Sequence, residues 1–402
     1  MKFDKILRIA TSLLKLLKKI ITSLVIVILL TNSLQAKVKF KDIKFAPDFY
    51  AQSIQTCKAI GNRSFKNKNT VKRVSGLVGY DWMSDWKKNS NSLTVKHINI
   101  TEPILWMMTA THNAVSEDDK ESLTTGKELL VKLAKANTLL DSTGYHELKN
   151  KPMCWKNNDP NSPCWYHSYE FAKDVFSLYL ISAIWLKDEL DEDEFQIVDR
   201  YINRMYRKFL KPLINKKQDQ GFYAMANGGT GILIYANWSN DKRLAMREIN
   251  NRLKYIDKVF LEDGYINNNS FRGYRGQWYH SYGLNSVLGY VYIAKLWGAK
   301  IPNKIQQKLI KASEITNLAI TDWDKFKSRE FAGANPNKIS NKDNAIKHTH
   351  QMAFSLDALM EVVTGVKLEN DPIYLQKRKY HMKDGFDSLI GFNAHCLSEN
   401  LN

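Results

Sequence analysis

Along most of this chain apolar residues recur at intervals of three and four, the period of a helix that buries one side. That period predicts helices over residues 125–140, 166–190, 193–214, 231–238, 242–260, 271–297, 304–318 and 348–364. Alternation at every second residue, the mark of a half-buried strand, is scarce and short. Loops are read where Asn, Asp, Pro and Gly cluster, at residues 158–163, 227–229 and 335–337. The helices are of two kinds. The run from Val175 to Trp185 is apolar almost all round, whereas residues 242–258 carry a charged face. The first kind suits a helix buried on both sides and the second a helix with one side in water. Joined by short connections, they predict an all-α fold of helical hairpins in two layers, an (α/α) toroid or incomplete barrel.

The first 36 residues stand apart. Lys2, Lys5, Arg8, Lys15, Lys18 and Lys19 precede the apolar stretch from Ile20 to Leu30, and a polar segment ending at Ala36 follows it. This reads as an export signal cut after Ala36. The apolar stretch is shorter than the twenty or so residues a membrane span needs. Leu34 suits the third position before the cut poorly, which keeps an uncleaved anchor as the alternative. Residues 37–402 contain no Gly/Ser/Pro linker and are expected to form one domain. Export to the periplasm or the medium permits disulfides among Cys57, Cys154, Cys164 and Cys396, in any of three connectivities. Pairing Cys154 with Cys164 would staple the loop between them and leave Cys57 for Cys396. Their spacing fits no zinc pattern.

Charge changes the picture of the partner. The chain carries 59 Lys and Arg against 41 Asp and Glu, a formal net charge of +18. Without the first 36 residues 53 basic and 40 acidic side chains remain, a net of +13. A basic exported protein prefers anionic partners. The chain has no zinc-finger, RNA-binding or basic-zipper pattern, and export argues against nucleic acid. An acidic polysaccharide fits both charge and compartment, although a generally basic solvated surface would give the same total.

The candidate chemistry concentrates at the start of the helix expected over 271–297, where Arg272-Gly-Tyr-Arg-Gly-Gln-Trp-Tyr279-His280 follows the turn Glu262-Asp-Gly-Tyr-Ile-Asn-Asn-Asn269. At helical spacing Arg272, Arg275 and Tyr279 share a face. Fixed positive charge favours a phenolate, which can take a carbon-bound proton, and guanidinium groups can neutralise a substrate carboxylate.

This run is similar to the alginate lyases of polysaccharide lyase family 5, in which an Arg-x-x-Arg-x-x-x-Tyr-His segment carries the catalytic Arg and Tyr; Gly264, eight residues before Arg272, also stands where the family has a glycine. The family's second motif, Asn-Asn-His, corresponds to Asn227-Gly228-Gly229, so Asn227 matches the first asparagine while glycines replace the second asparagine and the histidine. A shift of one register would instead give Asn227 the carboxylate-binding role. The resemblance covers about residues 221–297 and implies a toroidal fold whose cleft lies where the inner helices begin. It implies Tyr279, Arg272 and Asn227 as catalytic residues, with Arg275, His280 and His167 as candidates for binding substrate. His280, about a quarter-turn from Tyr279, is expected to pack or support rather than serve as the base, and His167 is a candidate for the missing imidazole.

The implied reaction is β-elimination on a uronate polymer, with mannuronate-rich alginate foremost. The C5 proton becomes removable once the adjacent carboxylate is neutralised, the task assigned to Arg272 and Asn227. Tyr279 takes that proton and returns one to the leaving oxygen. No cofactor or metal is called for, and the protein is expected to work as a monomer without a membrane span once the leader is gone. Two other readings stand beside this one. A toroidal glycoside hydrolase would need a carboxyl pair, for which Glu170, Asp174 and Asp263 are the candidates. A polysaccharide-binding protein without catalysis would account for Gly228 and Gly229. Trp82, Trp86, Trp106, Trp155, Trp165, Tyr166, Tyr169 and Trp278 are candidate sugar platforms, though large aromatics at helical spacing are more often core. His348 and His350 form a His-x-His pair that reads as a solvated loop.

Overall fold

Aspartates at the mouths of short connections fold the chain back on itself. Asp119, Asp191 and Asp241 each accept a hydrogen bond from a backbone N–H in the first turn of the helix that follows, which satisfies donors no carbonyl within the helix can reach. The computed structural model describes residues 15, 17–19, 37–46, 49, 63–88, 97–148, 150, 165–214, 222–267, 269–271, 276–327 and 356–368. The chain divides into two compact units, residues 1–37 and 38–402. Of the first, Lys15 and residues 17–19 are helical, so the expected leader lies almost wholly outside the described residues. So do the four cysteines, His348 and His350.

In the second unit the α-helices of seven or more residues, among the described residues, are α1 (Lys68–Ser75), α2 (Trp82–Lys88), α3 (Glu102–Ser116), α4 (Lys120–Lys135), α5 (Trp165–Trp185), α6 (Glu192–Met205), α7 (Phe222–Trp238), α8 (Lys242–Val259), α9 (Gly276–Leu296), α10 (Asn303–Thr321) and α11 (Leu356–Thr364). The fold is all-α: among the described residues the only extended pairing is one bridge between Phe260 and Ile266. No helix among them is long and apolar enough to cross a membrane.

Packing sorts these helices into two rows. In the inner row α3 packs on α5, α5 on α7, α7 on α9 and α9 on α11; in the outer row α4, α8 and α10 each pack on the inner helix that precedes them in the chain, and α6 lies beside α4. Side-chain pairs fix the directions. His112 of α3 meets Trp185 late in α5, and Lys187, two residues beyond α5, reaches the carbonyl of Trp238 at the end of α7. Residues 44–46 reach both Asn237 at the end of α7 and Trp297 just after α9. Helices α3, α5, α7 and α9 therefore run parallel, and their first turns lie at one end of the row.

The structure also corrects the sequence reading. The segment 227–229, expected as a loop, lies inside α7, which starts nine residues before the predicted 231. Glycine weakens a helix interior by about 1 kcal/mol against alanine, but it lets neighbours close in. A Cβ on Gly231 would stand 2.6 Å from Ser177 Oγ and 3.1 Å from Leu210 Cδ1. Of the predicted 271–297, Phe271 lies in a turn and residues 276–296 are helical. α3 was not predicted because Ile104, Met107, Met108, Thr109, Ala110, Thr111, His112, Asn113 and Ala114 are all buried, which erases the polar stripe that makes a period visible.

Candidate active site

The connection from α8 to α9 is clamped before the chemistry begins. Gly264 turns with φ +91°, and a Cβ there would lie 2.5 Å from the Lys311 carbonyl oxygen of α10, so glycine alone fits this approach. Lys311 Nζ donates to the Glu262 carbonyl at 2.6 Å. Behind the turn Tyr265 stacks between Phe271 and Phe326, and Trp323 continues the ladder, forming a small core separate from the main one.

Out of this platform rises the first turn of α9. Ser270 Oγ accepts from the Ile266 N–H at 2.7 Å and faces His280 Nδ1 at 2.8 Å. His280 Nε2 lies 2.9 Å from the Ala312 carbonyl oxygen, so Nε2 carries the proton and donates to it, while the Ser270 hydroxyl donates to Nδ1. His280 is wholly buried, and burial pulls it down to about 4 from an ordinary 6.5. Both ring nitrogens are spent inside the protein. His280 is thus corrected from a substrate-binding side chain to a buried anchor, the supporting role its position in the helix suggested. Asn269 Nδ2 donates to the Tyr279 carbonyl at 3.0 Å. Between Asn269 and His280 the main chain of Tyr279 is fixed from both sides, and its side chain is partly exposed. Gly276, at the head of α9, packs its Cα against the Ser270 carbonyl, leaving no space for a Cβ.

Tyr279 is therefore the predicted catalytic residue whose setting is seen directly. Asn227 lies in the second turn of α7 and His167 in the first turn of α5, so their backbones belong to the same end of the inner row as Tyr279. Their side chains, with those of Trp165, Tyr166 and Trp278, lie outside the described residues, as do Arg272, Arg275 and Trp155 entirely.

The remaining candidates resolve one by one. Glu170 is paired with Lys173 at 2.9 Å, and the lysine side chain is fully buried beside the Tyr169 ring. The carboxylate compensates a buried ammonium, a structural task that a proton donor for hydrolysis does not share. Asp263 is exposed in the turn and accepts from the Tyr265 N–H. Trp82 and Trp86 are fully buried, and Trp82 Nε1 donates to Ser168 Oγ at 3.0 Å. Tyr169 is buried with its hydroxyl donating to the Phe209 carbonyl. These three are core. Trp106 is partly exposed and lies under two cations, with the Arg63 guanidinium 3.6 Å and that of Arg73 4.7 Å from its ring centre. Arg73 is also paired with Glu102 at 2.6 Å.

Sequence reasoning passed over Asn269 and Ser270 as turn residues. Their place just before the helix start expected at residue 271 was the available signal, since Asn and Ser side chains there compete for backbone groups. Lys173 stands between Glu170 and Asp174 in the sequence, where its burial leaves no mark. Among the described residues no three His, Cys, Asp or Glu side chains gather as metal ligands. Comparison with protein-family models and with curated proteins finds no match to the chain.

Proposed function

We propose that this chain is an exported polysaccharide lyase that cleaves a uronate polymer, mannuronate-rich alginate foremost, by β-elimination, within an (α/α) toroid whose cleft opens at the starts of the inner helices. The observation that carries the reading is Tyr279: a partly exposed phenol in the first turn of an inner helix, its main chain held by Asn269 and its neighbour His280 locked in place. Arg272 and Asn227 would neutralise the carboxylate, with Arg275 and His167 contributing to substrate binding. Tyr279, as the phenolate, then takes the C5 proton, the C5–H electrons form the C4–C5 double bond, the C4–O4 bond breaks, and the departing oxygen receives a proton from the tyrosine, which returns to the phenolate. In mannuronate the proton and the leaving oxygen lie on one side of the ring, so one residue serves both. The hold on the Tyr279 main chain supports this reading, because a catalytic base kept in place acts without reorganising its surroundings.

The test is ultraviolet absorbance over time on polymannuronate, polyguluronate and glucuronan, because each elimination creates a conjugated double bond. The parent protein is expected to raise absorbance on at least one polymer, and Tyr279→Phe to lower turnover by about a thousandfold or more while retaining binding. Reducing ends without absorbance would replace the reading with hydrolysis. No turnover, with binding intact, would favour the second reading, a polysaccharide-binding protein, for which Gly228 and Gly229 speak.

A further inference from the structure

The outward side of α8 differs from every other outer helix. Its exposed positions are Arg243, Arg247, Asn251, Lys254 and Lys258, four cations and one amide. At 100° per residue the four cations fall within about 60° of one another, and at 1.5 Å per residue they span about 22 Å along the helix. None of the four is paired with a carboxylate among the described residues. The acids of α8 are committed elsewhere: Glu248 to Arg252 in a buried pair, Asp257 to Lys304 and Lys308. Exposed positions on the other outer helices mix signs. α4 shows Lys120, Glu121, Glu128, Lys132 and Lys135, and α6 shows Glu192, Asp193, Arg200 and Arg204.

A second basic segment is fastened along the same helix. Asn250 donates Nδ2 to the Val38 carbonyl at 2.9 Å and accepts the Val38 N–H at 3.0 Å, a reciprocal pair midway between Arg247 and Lys254. The strap that follows carries exposed Lys39, Lys41 and Lys44, and between the first two Phe40 is 50% exposed. Its one acid, Asp42, is engaged with the Lys39 N–H.

We propose that the outward face of α8 and the adjoining strap form a binding stripe for an extended acidic polysaccharide, distinct from the end of the inner row that holds Tyr279. A straight file of cations suits a straight polyanion with one carboxylate on each ring, and guanidinium groups take carboxylates in a fork. Asn251 offers an amide to hydroxyls, and Phe40 an exposed ring to a pyranose face. An anionic membrane would be met best by cations spread over a plane with several apolar side chains to insert; Leu244, Ile249, Leu253 and Ile256 all point inward and are buried. Single-stranded nucleic acid calls for a row of aromatic platforms, and this stripe has Phe40 alone. The stripe goes beyond the lyase reading and stands without it, because it is a matter of holding polymer rather than cutting it.

The experiment is equilibrium binding of fluorescently labelled polymannuronate at stepped salt concentrations, to the mature protein and, so that the polymer is not cut during the measurement, to the same protein carrying Tyr279→Phe. A variant with Arg243, Arg247, Lys254 and Lys258 all changed to Gln is expected to bind on the order of tenfold more weakly and with a flatter salt dependence. Lys39→Gln with Lys41→Gln is expected to weaken binding less, in the same direction. A control that removes equal charge from α4 and α6, at Lys120, Lys132, Lys135 and Arg200, is expected to leave binding near the parent's, as is Tyr279→Phe. An equal loss in the control would reduce the effect to net charge and overturn the proposal. Tighter stripe-dependent binding of single-stranded DNA, or of vesicles containing anionic phospholipid, would overturn it in favour of that partner. Loss of turnover in Tyr279→Phe leaves the stripe untouched, so either reading can fail without the other.

Discussion

An inner helix such as α5 and an outer helix such as α8 solve opposite problems. α5 is covered on nearly every side, so each polar atom it carries must find a partner inside the protein: Tyr179 donates to the Leu130 carbonyl, Ser182 to that of Leu178, and Lys173 reaches Glu170. α8 is covered on one side only. Its inward face follows the same rule, with Arg252 and Glu248 paired beneath 3% and 1% exposure, while its outward face obeys no packing rule at all. Polar residues on covered faces thus report structure. Charges on open faces report stability only where they are paired, and otherwise require another account.

The comparison breaks first at the buried pair. Glu248→Ala removes the carboxylate paired with the buried Arg252 guanidinium, and is expected to cost about 3–5 kcal/mol in urea denaturation. The double change Glu248→Leu with Arg252→Met is expected to recover most of that loss. If Glu248→Ala cost less than about 1 kcal/mol, the inward face of α8 would be behaving as an open one.

Next in size is the pH response of His280. Its folded value is depressed to about 4 from 6.5. Below 6.5 the unfolded chain takes up a proton that the folded chain refuses, so stability falls as the pH drops from 6.5 to about 4. The contribution is present in full above 6.5, and about 3 kcal/mol of it is lost across that window. His280→Gln removes this contribution, and denaturation midpoints at pH 7 and pH 5 should lie closer together than in the parent. An unchanged gap would mean that the ring is protonated within the fold.

Inner-to-inner contact is probed by Gly231. Gly231→Ala presses a methyl onto Ser177 Oγ and the Leu210 side chain, at an expected cost of about 1–3 kcal/mol. Adding Ser177→Ala removes the nearer atom and should return part of the loss, seen as a positive coupling in a double-mutant cycle.

How far the sequence carried can be judged at these same places. The all-α class, the split into apolar and amphipathic helices, and the start and end of α8 to within a residue were readable, because a one-sided helix writes its period into the chain. α3 was not, because burial on both sides leaves no period to read. The helix through Asn227-Gly228-Gly229 was not, because local turn preference points the other way and only the packing of α7 on α5 and α9 overrides it. At the candidate site the helix that carries Tyr279 was readable from its apolar spacing. The hydrogen-bond chain from Ile266 through Ser270 and His280 to Ala312 was not, since it joins residues up to 46 positions apart in the sequence. Nor were the paired states of Glu170 and Lys173, which depend on which atoms the fold excludes from water.

The smallest effect separates the two kinds of exposed charge. On α6, Glu194 accepts Lys127 at 3.2 Å and closes a capping box with Asp191, so Glu194→Gln is expected to lower stability by up to about 1 kcal/mol. On α8, Arg243 stands four residues from Arg247 and Lys254 four from Lys258, like charges at a spacing that costs a few tenths of a kcal/mol per pair. Arg247→Gln should therefore raise stability slightly, and the gain should fade as salt screens the repulsion. A gain at low salt that vanishes at high salt would mean that the stripe is held at the expense of stability, as a surface kept for a partner would be. A loss instead would show that Arg247 has a stabilising contact of its own, and would place α8 with α4 and α6 as an ordinary solvated face.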